Sequence, residues 1–401
     1  MGKLYIGNTV INTISKLKVG SSSVQKIYVG STLIFPSSII FPSGSKDTSF
    51  NIGTGFNNTV YSVKMDSSEK IYVGGFFGSY SGSSQNGLIR LNSDGTKDTS
   101  FNIGTGFTGG SIVYSISQES GGKIYAGGVF TAYSGSSQEG LVKINTDGTK
   151  DTSFNIGTGF SAGEIYATEI DSNGKLLVGG LFLNYSGSSQ NSLIRLNSDG
   201  TKDTSFNIGT GFDAQVYELK IDSNGKILVG GNFTTYSGSS QTRLIRLNSD
   251  GTKDTSFNVG AGCDLGVKLI TIDSSEKIYV GGFFSSYSGS SQNGLVRLNT
   301  DGTKDTSFNV GTGFNSGVES LIIDASGSLI VGGSFTSYSG SGQNGLVKLN
   351  TNGTKDTTFD IGTGFDAGVQ SLVTQSDGKI VAGGSFTTYK GSSQNRLIRL
   401  T

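Results

Sequence analysis

Lys97-Asp98-Thr99-Ser100-Phe101-Asn102-Ile103-Gly104-Thr105-Gly106-Phe107 decides how this chain is built, because the stretch returns nearly letter for letter. The Asp that opens its Asp-Thr-Ser/Thr-Phe core stands at 47, 98, 151, 203, 254, 305 and 356. Two further phrases keep the same phase. A double glycine recurs at 74/75, 127/128, 179/180, 230/231, 281/282, 332/333 and 383/384. A Leu-Ile-Arg-Leu-like run begins at Leu88, Leu141, Leu193, Leu244, Leu295, Leu346 and Leu397. Three phrases in one register, seven times over, describe a repeat array whose units bury their apolar faces on one another.

Working outward through one unit, residues 60–66 have the content of a β-strand and residues 67–69 that of a turn. Residues 70–77 read as a second strand, with Gly74 and Gly75 where neighbouring backbone comes close. Residues 80–87 form a polar loop, residues 88–92 a third strand, and Ser93-Asp94-Gly95 a hairpin turn. Thr99 to Ile103 supply a fourth strand. No segment carries the i, i+3, i+4 spacing of an amphipathic helix. The expectation is an all-β fold, a seven-bladed β-propeller of four-stranded antiparallel blades. The chain ends on the third strand of its last unit, and the first Asp47-Thr48-Ser49-Phe50 has no Leu-Ile-Arg-Leu before it. Residues 46–52 are therefore expected to complete the blade formed by 369–401 and to close the ring without a loose edge.

These motifs resemble the delta-60 repeat β-propeller family, over residues 46–401. The resemblance implies the fold and no shared activity.

Ahead of the propeller, residues 3–11, 16–24 and 26–34 repeat one another as short β-rich runs around Gly-Asn or Gly-Ser. Residues 1–35 read as a module of small hairpins, 36–44 as a linker holding both prolines, and 45–401 as the propeller. The run Lys26-Ile27-Tyr28-Val29-Gly30-Ser31-Thr32 resembles the small N-terminal modules of bacteriophage tail and other virion proteins. That resemblance implies attachment to other virion proteins through residues 1–40 and a virion location. A β-rich leader packing on its own propeller is the competing reading.

Composition removes several function classes. Thirty basic and thirty acidic residues leave no net charge, and no basic stripe marks a nucleic-acid binder. No apolar run is long enough to span a bilayer. The absence of His excludes a Ser-His-Asp triad and His-ligated metal. The single Cys263 replaces a Phe found in the other units and reads as a space-filling thiol. Residues 92–98 alternate oxygen ligands, yet lack the bidentate Glu of a calcium loop and read as a tight turn. No catalytic residue, metal or cofactor is assigned.

Two candidate binding features remain. Tyr80, Tyr133, Tyr185, Tyr236, Tyr287, Tyr338 and Tyr389 recur in the polar loop, where they either brace the fold or ring one face as sugar-binding platforms. Variation between units collects in the inter-blade links and at 61, 114, 166, 217, 268, 319 and 370, with Glu164, Lys268 and Glu319 standing out. The functional expectation is a non-enzymatic virion protein that presents a face to a host-surface glycan or protein. The alternative is an extracellular carbohydrate- or protein-binding propeller unconnected with phage.

Overall fold

The computed structural model describes residues 44–160 and 163–401, together with six short strands near the N-terminus. Those six pair as antiparallel hairpins: Leu4–Ile6 with Thr9–Ile11, Lys18–Val19 with Ser22–Ser23, and Tyr28–Val29 with Thr32–Leu33. Each pair encloses a Gly-Asn or Gly-Ser dipeptide in the sequence. Of the expected linker, residues 36–44, all but Gly44 lie outside the described residues.

Every described element is a strand. Each of the seven units forms a three-stranded antiparallel sheet, exemplified by Val60–Met65, Ile71–Gly75 and Leu88–Leu91 with Ile71–Gly75 central, and a short hairpin within the expected polar loop, such as Ser79–Tyr80 with Ser83–Ser84. The first strand of each sheet lies against the first strands of its neighbours, and Val369–Thr374 lies against Val60–Met65. The central strands are buried from end to end, which is why they read as unbroken apolar runs rather than alternating ones. The double glycine is needed where these layers meet. A Cβ on Gly74 would come within 2.8 Å of Val113 in the next sheet, and one on Gly75 would strike the Thr59 carbonyl.

The repeated Asp-Thr-Ser-Phe stretch departs from expectation. It does not form a fourth strand over 99–103. Lys97 makes one isolated bridge to Leu91, and the Asp98 amide donates to the Arg90 carbonyl. There the ladder ends, because the Asp98 carboxylate takes both the amide and the hydroxyl of Ser100 and bends the chain into a turn. Phe101, Ile103 and Phe107 then enter the core of the following unit, among Val113, Ile124 and Val142. The segment is a strap between blades.

Its first copy straddles the seam between the ends of the repeat array. Lys46 bridges Leu400, and the Asp47 amide donates to Arg399 at 2.9 Å. Phe50, Ile52 and Phe56 instead pack into the first unit with Val60, Ile71 and Ile89. Residues 46–52 thus divide between the two blades, where the sequence placed them wholly in the last one.

An arginine fixes the strap in five of the seven units, and Lys143 and Lys348 stand at that position in the other two. Arg90 donates to Asp98 at 2.8 Å and to Ser100 at 3.0 Å, lies 4.8 Å from the Phe101 ring centroid, and reaches the Thr146 carbonyl of the next unit at 2.8 Å. Arg195, Arg246, Arg297 and Arg399 repeat this reach across a seam.

Candidate functional site

The first strand of each unit carries a β-bulge near its start. Its register skips one residue, between Val60 and Ser62 in the first unit and between Val267 and Leu269 in the fifth. The skipped residues are Tyr61, Tyr114, Tyr166, Tyr217, Lys268, Glu319 and Gln370. A bulge frees its extra residue from the ladder and re-aims the side chain. All seven line one central cavity of about 690 Å³ and are half-buried there. The strands enter from the inter-blade links, so this ring lies near the mouth on the face that carries those links.

The ring has two unlike arcs. Four consecutive tyrosines pack ring against ring, with centroids 5.0 Å apart for Tyr61–Tyr114 and 5.1 Å for Tyr114–Tyr166, both tilted, and 5.1 Å for Tyr166–Tyr217, edge to face. Lys268 follows, its Nζ 3.4 Å from the Tyr217 ring centroid. Burial pushes this ammonium down from the usual lysine range, with Glu319 opposing the shift. Burial likewise pushes the Glu319 carboxyl up, against the Ser334 hydroxyl and Lys268. Among the described residues Lys268 has no carboxylate within salt-bridge distance, and Gln370 Oε1 is buried with no hydrogen-bond partner. The Tyr61, Tyr114 and Tyr217 phenols also have none among the described residues, whereas Tyr166 donates to Glu164.

Deeper in the channel, Lys220 pairs with Glu169 at 3.1 Å. Glu218 shares that wall, and burial followed by the Glu169 charge pushes its carboxyl up to about 8. The seams here are held by serines at the position Glu218 occupies in its own unit. Ser371 Oγ accepts from the Val63 amide at 2.9 Å, Ser320 from Leu372 and Ser115 from Thr168 at 3.0 Å.

Of the residues singled out in the sequence, Lys268 and Glu319 meet in the ring and Glu164 stands beside it through Tyr166. The seven loop tyrosines do not form a ligand face. Tyr80, Tyr133, Tyr185, Tyr236, Tyr287, Tyr338 and Tyr389 are all at most 5% exposed. Six of their hydroxyls donate to the carbonyls of Gly95, Gly148, Gly200, Gly251, Gly302 and Gly353, and Tyr389 donates to Gly44. An internal carbonyl satisfies each phenol, which makes these residues braces. Part of the link variation is structural as well: Asn57, Asp213, Asp264, Asn315 and Asp366 each accept two backbone amides some twenty residues on, such as Gly78 and Ser79 for Asn57 at 3.0 Å. The turn carboxylate of Asp94 is spent on Thr96, at 2.9 Å to its amide and 2.7 Å to its hydroxyl. What sequence reading did not find is the bulge. Its trace was the step from Tyr to Lys, Glu and Gln at one aligned position.

A family described as a domain of unknown function beta-propeller (DUF5122) matches residues 67–101, 120–154, 172–206, 223–257, 274–308, 325–359 and 375–401. The chain belongs to that β-propeller family. Each of its seven matches covers the second and third strands of one sheet and begins just after the first strand, and none touches residues 1–35. None of the curated proteins matches the chain. Among solved structures, the WD40 beta propeller domain of Doa1 is similar at a TM-score of 0.58 and 14% identity, covering 89% of this chain and 96% of that one. The extracellular domain of a B. thetaiotaomicron protein described as a one component system is similar at 0.55 and 15% identity, covering 89% of this chain. The present chain spans 40% of that protein's length. At these identities the likeness is one of fold, and DUF5122 membership brings no activity with it. Among the described residues no helix is long and apolar enough to cross a membrane.

Proposed function

We propose that this DUF5122 propeller is a non-enzymatic binding protein working outside the cell, which captures its ligand at the channel mouth. The observation that carries this reading is the bulge ring. A residue repeated in every blade serves the shared fold, and the arginines, straps and loop tyrosines are all consumed in holding blades together. The bulge position is held by backbone alone, is free of that duty, and departs from repetition through Lys268, Glu319 and Gln370. It opens onto a cavity of the size ligands occupy. An exterior setting fits a surface rich in Ser, Thr, Asn and Gly, and fits the description of one domain of similar fold as extracellular.

The N-terminal hairpins favour a second reading of location. Three small hairpins bury little by themselves, and such a module gains stability by docking on a partner. Under this reading residues 1–40 fasten the chain to a virion and the propeller faces the host. We further propose that residues 44–56 act as a clasp completing the last blade with a fourth segment and holding the ring shut.

Labelled full-length protein applied to immobilised glycans and to bacterial surfaces tests the binding reading. Saturable binding without turnover is expected, and failure to bind any surface or glycan contradicts it. Deleting residues 1–40 separates the locations: loss of the chain from purified phage particles with surface binding kept supports the virion, and its absence from any particle refutes it.

A further inference from the structure

From the division of the ring into two arcs, and resting on the binding reading above, we infer that the ligand is the end of a neutral saccharide. One edge of this ligand lies against the tyrosine arc, and its hydroxyls face Lys268, Glu319 and Gln370.

The polar arc sets what the ligand must supply. Glu319 and Gln370 Oε1 present acceptors, and Lys268 presents a donor, at successive positions around the ring. Gln370 Oε1 is buried without a partner, and such an atom costs stability until something pairs with it, while Glu319 and Lys268 stand half-buried beside it. A ligand must bring donors and an acceptor along one edge, which vicinal hydroxyls do, since each hydroxyl both donates and accepts. The arc's opposite charges sum to zero, so a ligand with a net charge would leave one of them uncompensated in the half-buried wall. The opposite arc makes a complementary demand. Tyr61, Tyr114 and Tyr166 form a curved aromatic wall, while Lys268 covers the Tyr217 ring. Such a wall takes the C–H edge of a pyranose, and the unpaired Tyr61 and Tyr114 phenols add polar contacts at its rim. The mouth is open to one face, so a chain terminus can enter and the rest of a glycan remain outside.

The test uses the full-length chain on an array of immobilised neutral, acidic and zwitterionic oligosaccharides, with free amino acids as competitors. Affinities for the best ligand are then measured by calorimetry. Neutral glycans are expected to bind, and E319Q, Q370A and Y114A are expected each to weaken binding about tenfold, as truncation of a central contact does. Melting temperatures of the variants close to the parent's show that the ring, and not folding, was changed. Neutral glycan binding that all three variants leave intact overturns the ring assignment while the binding reading stands. Binding only to charged glycans, or displacement by free amino acids, overturns the neutral saccharide and keeps the ring. Silence on the array together with saturable binding to protease-sensitive sites on cells overturns the saccharide, and silence in both overturns the binding reading itself.

Discussion

Glu218 shows how a single departure from repetition acquires a chemical character. Three other units place a serine there that caps the next blade, and this one places a carboxyl among Glu169 and Lys220. Its pKa is raised from the usual 4.5 to about 8. Between those values the folded protein holds a proton that the unfolded chain releases, so stability falls as pH rises through that window. E218Q removes the dependence. Denaturant titrations at pH 5 and pH 9 are expected to show the variant close to the parent at the lower pH. At the higher pH it gains about 1–2 kcal/mol, well short of the full shift because channel water reaches the carboxyl. Equal pH slopes would place Glu218 in ordinary solvent. Cys263 shifts in the same sense, for the same reason. Buried where other units carry Phe, it bridges Tyr287, and burial pushes its thiol up to about 12. Iodoacetamide at pH 8 is expected to leave it unmodified in the native protein and to label it in denaturant. Rapid native labelling, followed by mass spectrometry, would contradict its burial.

At the scale of the element, the strap decides how the blades cohere. Arg399 joins four partners: Asp47 at 2.8 Å, Ser49 and Gln375 at 3.0 Å, and the Ser93 carbonyl of the first unit. Burial works against the Asp47 carboxylate, but Ser49, Lys379 and Arg399 outweigh it and hold its pKa at about 2. Where the equivalent residue is lysine the reach is lost. Lys143 turns to Glu119 at 2.6 Å and Lys348 to Asp324 at 2.9 Å, both within their own units. R399K is therefore expected to cost about 2 kcal/mol, from bonds a point-charge ammonium does not replace. The same substitution should speed proteolysis near residue 47, read by chemical denaturation and limited digestion. An unchanged midpoint and digestion rate would show that the seam does not depend on this residue. The repeat made the blades legible in the sequence, because three phrases in phase leave few architectures open. The strap was misread as a strand because Phe and Ile alternate in it as they do in one. Its true course is fixed by Asp98 capturing Ser100, a local bond that hydrophobic pattern does not record.

For the whole molecule, sevenfold repetition and function pull apart, and the candidate site lies where they separate. Lys268 and Glu319 were legible as outliers, because an aligned column that turns from Tyr to charge stands out in any repeat. The loop tyrosines left bracing and binding both open, because abundance in a polar loop resembles a binding face. Their hydroxyls in fact close on glycine carbonyls some fifteen residues away, a contact only the folded chain reveals. The bulge, which gathers the divergent column into one ring, is a matter of register and left no letter of its own. Restoring symmetry therefore tests the account directly. The triple variant K268Y/E319Y/Q370Y would give the ring a tyrosine in every blade and leave each strap, arginine and seam untouched. Calorimetry on the full chain with the best ligand of the parent is predicted to show binding lost, about a hundredfold or more, while the melting temperature is held or raised. Undiminished affinity in a folded triple variant would contradict the claim that recognition resides in the ring.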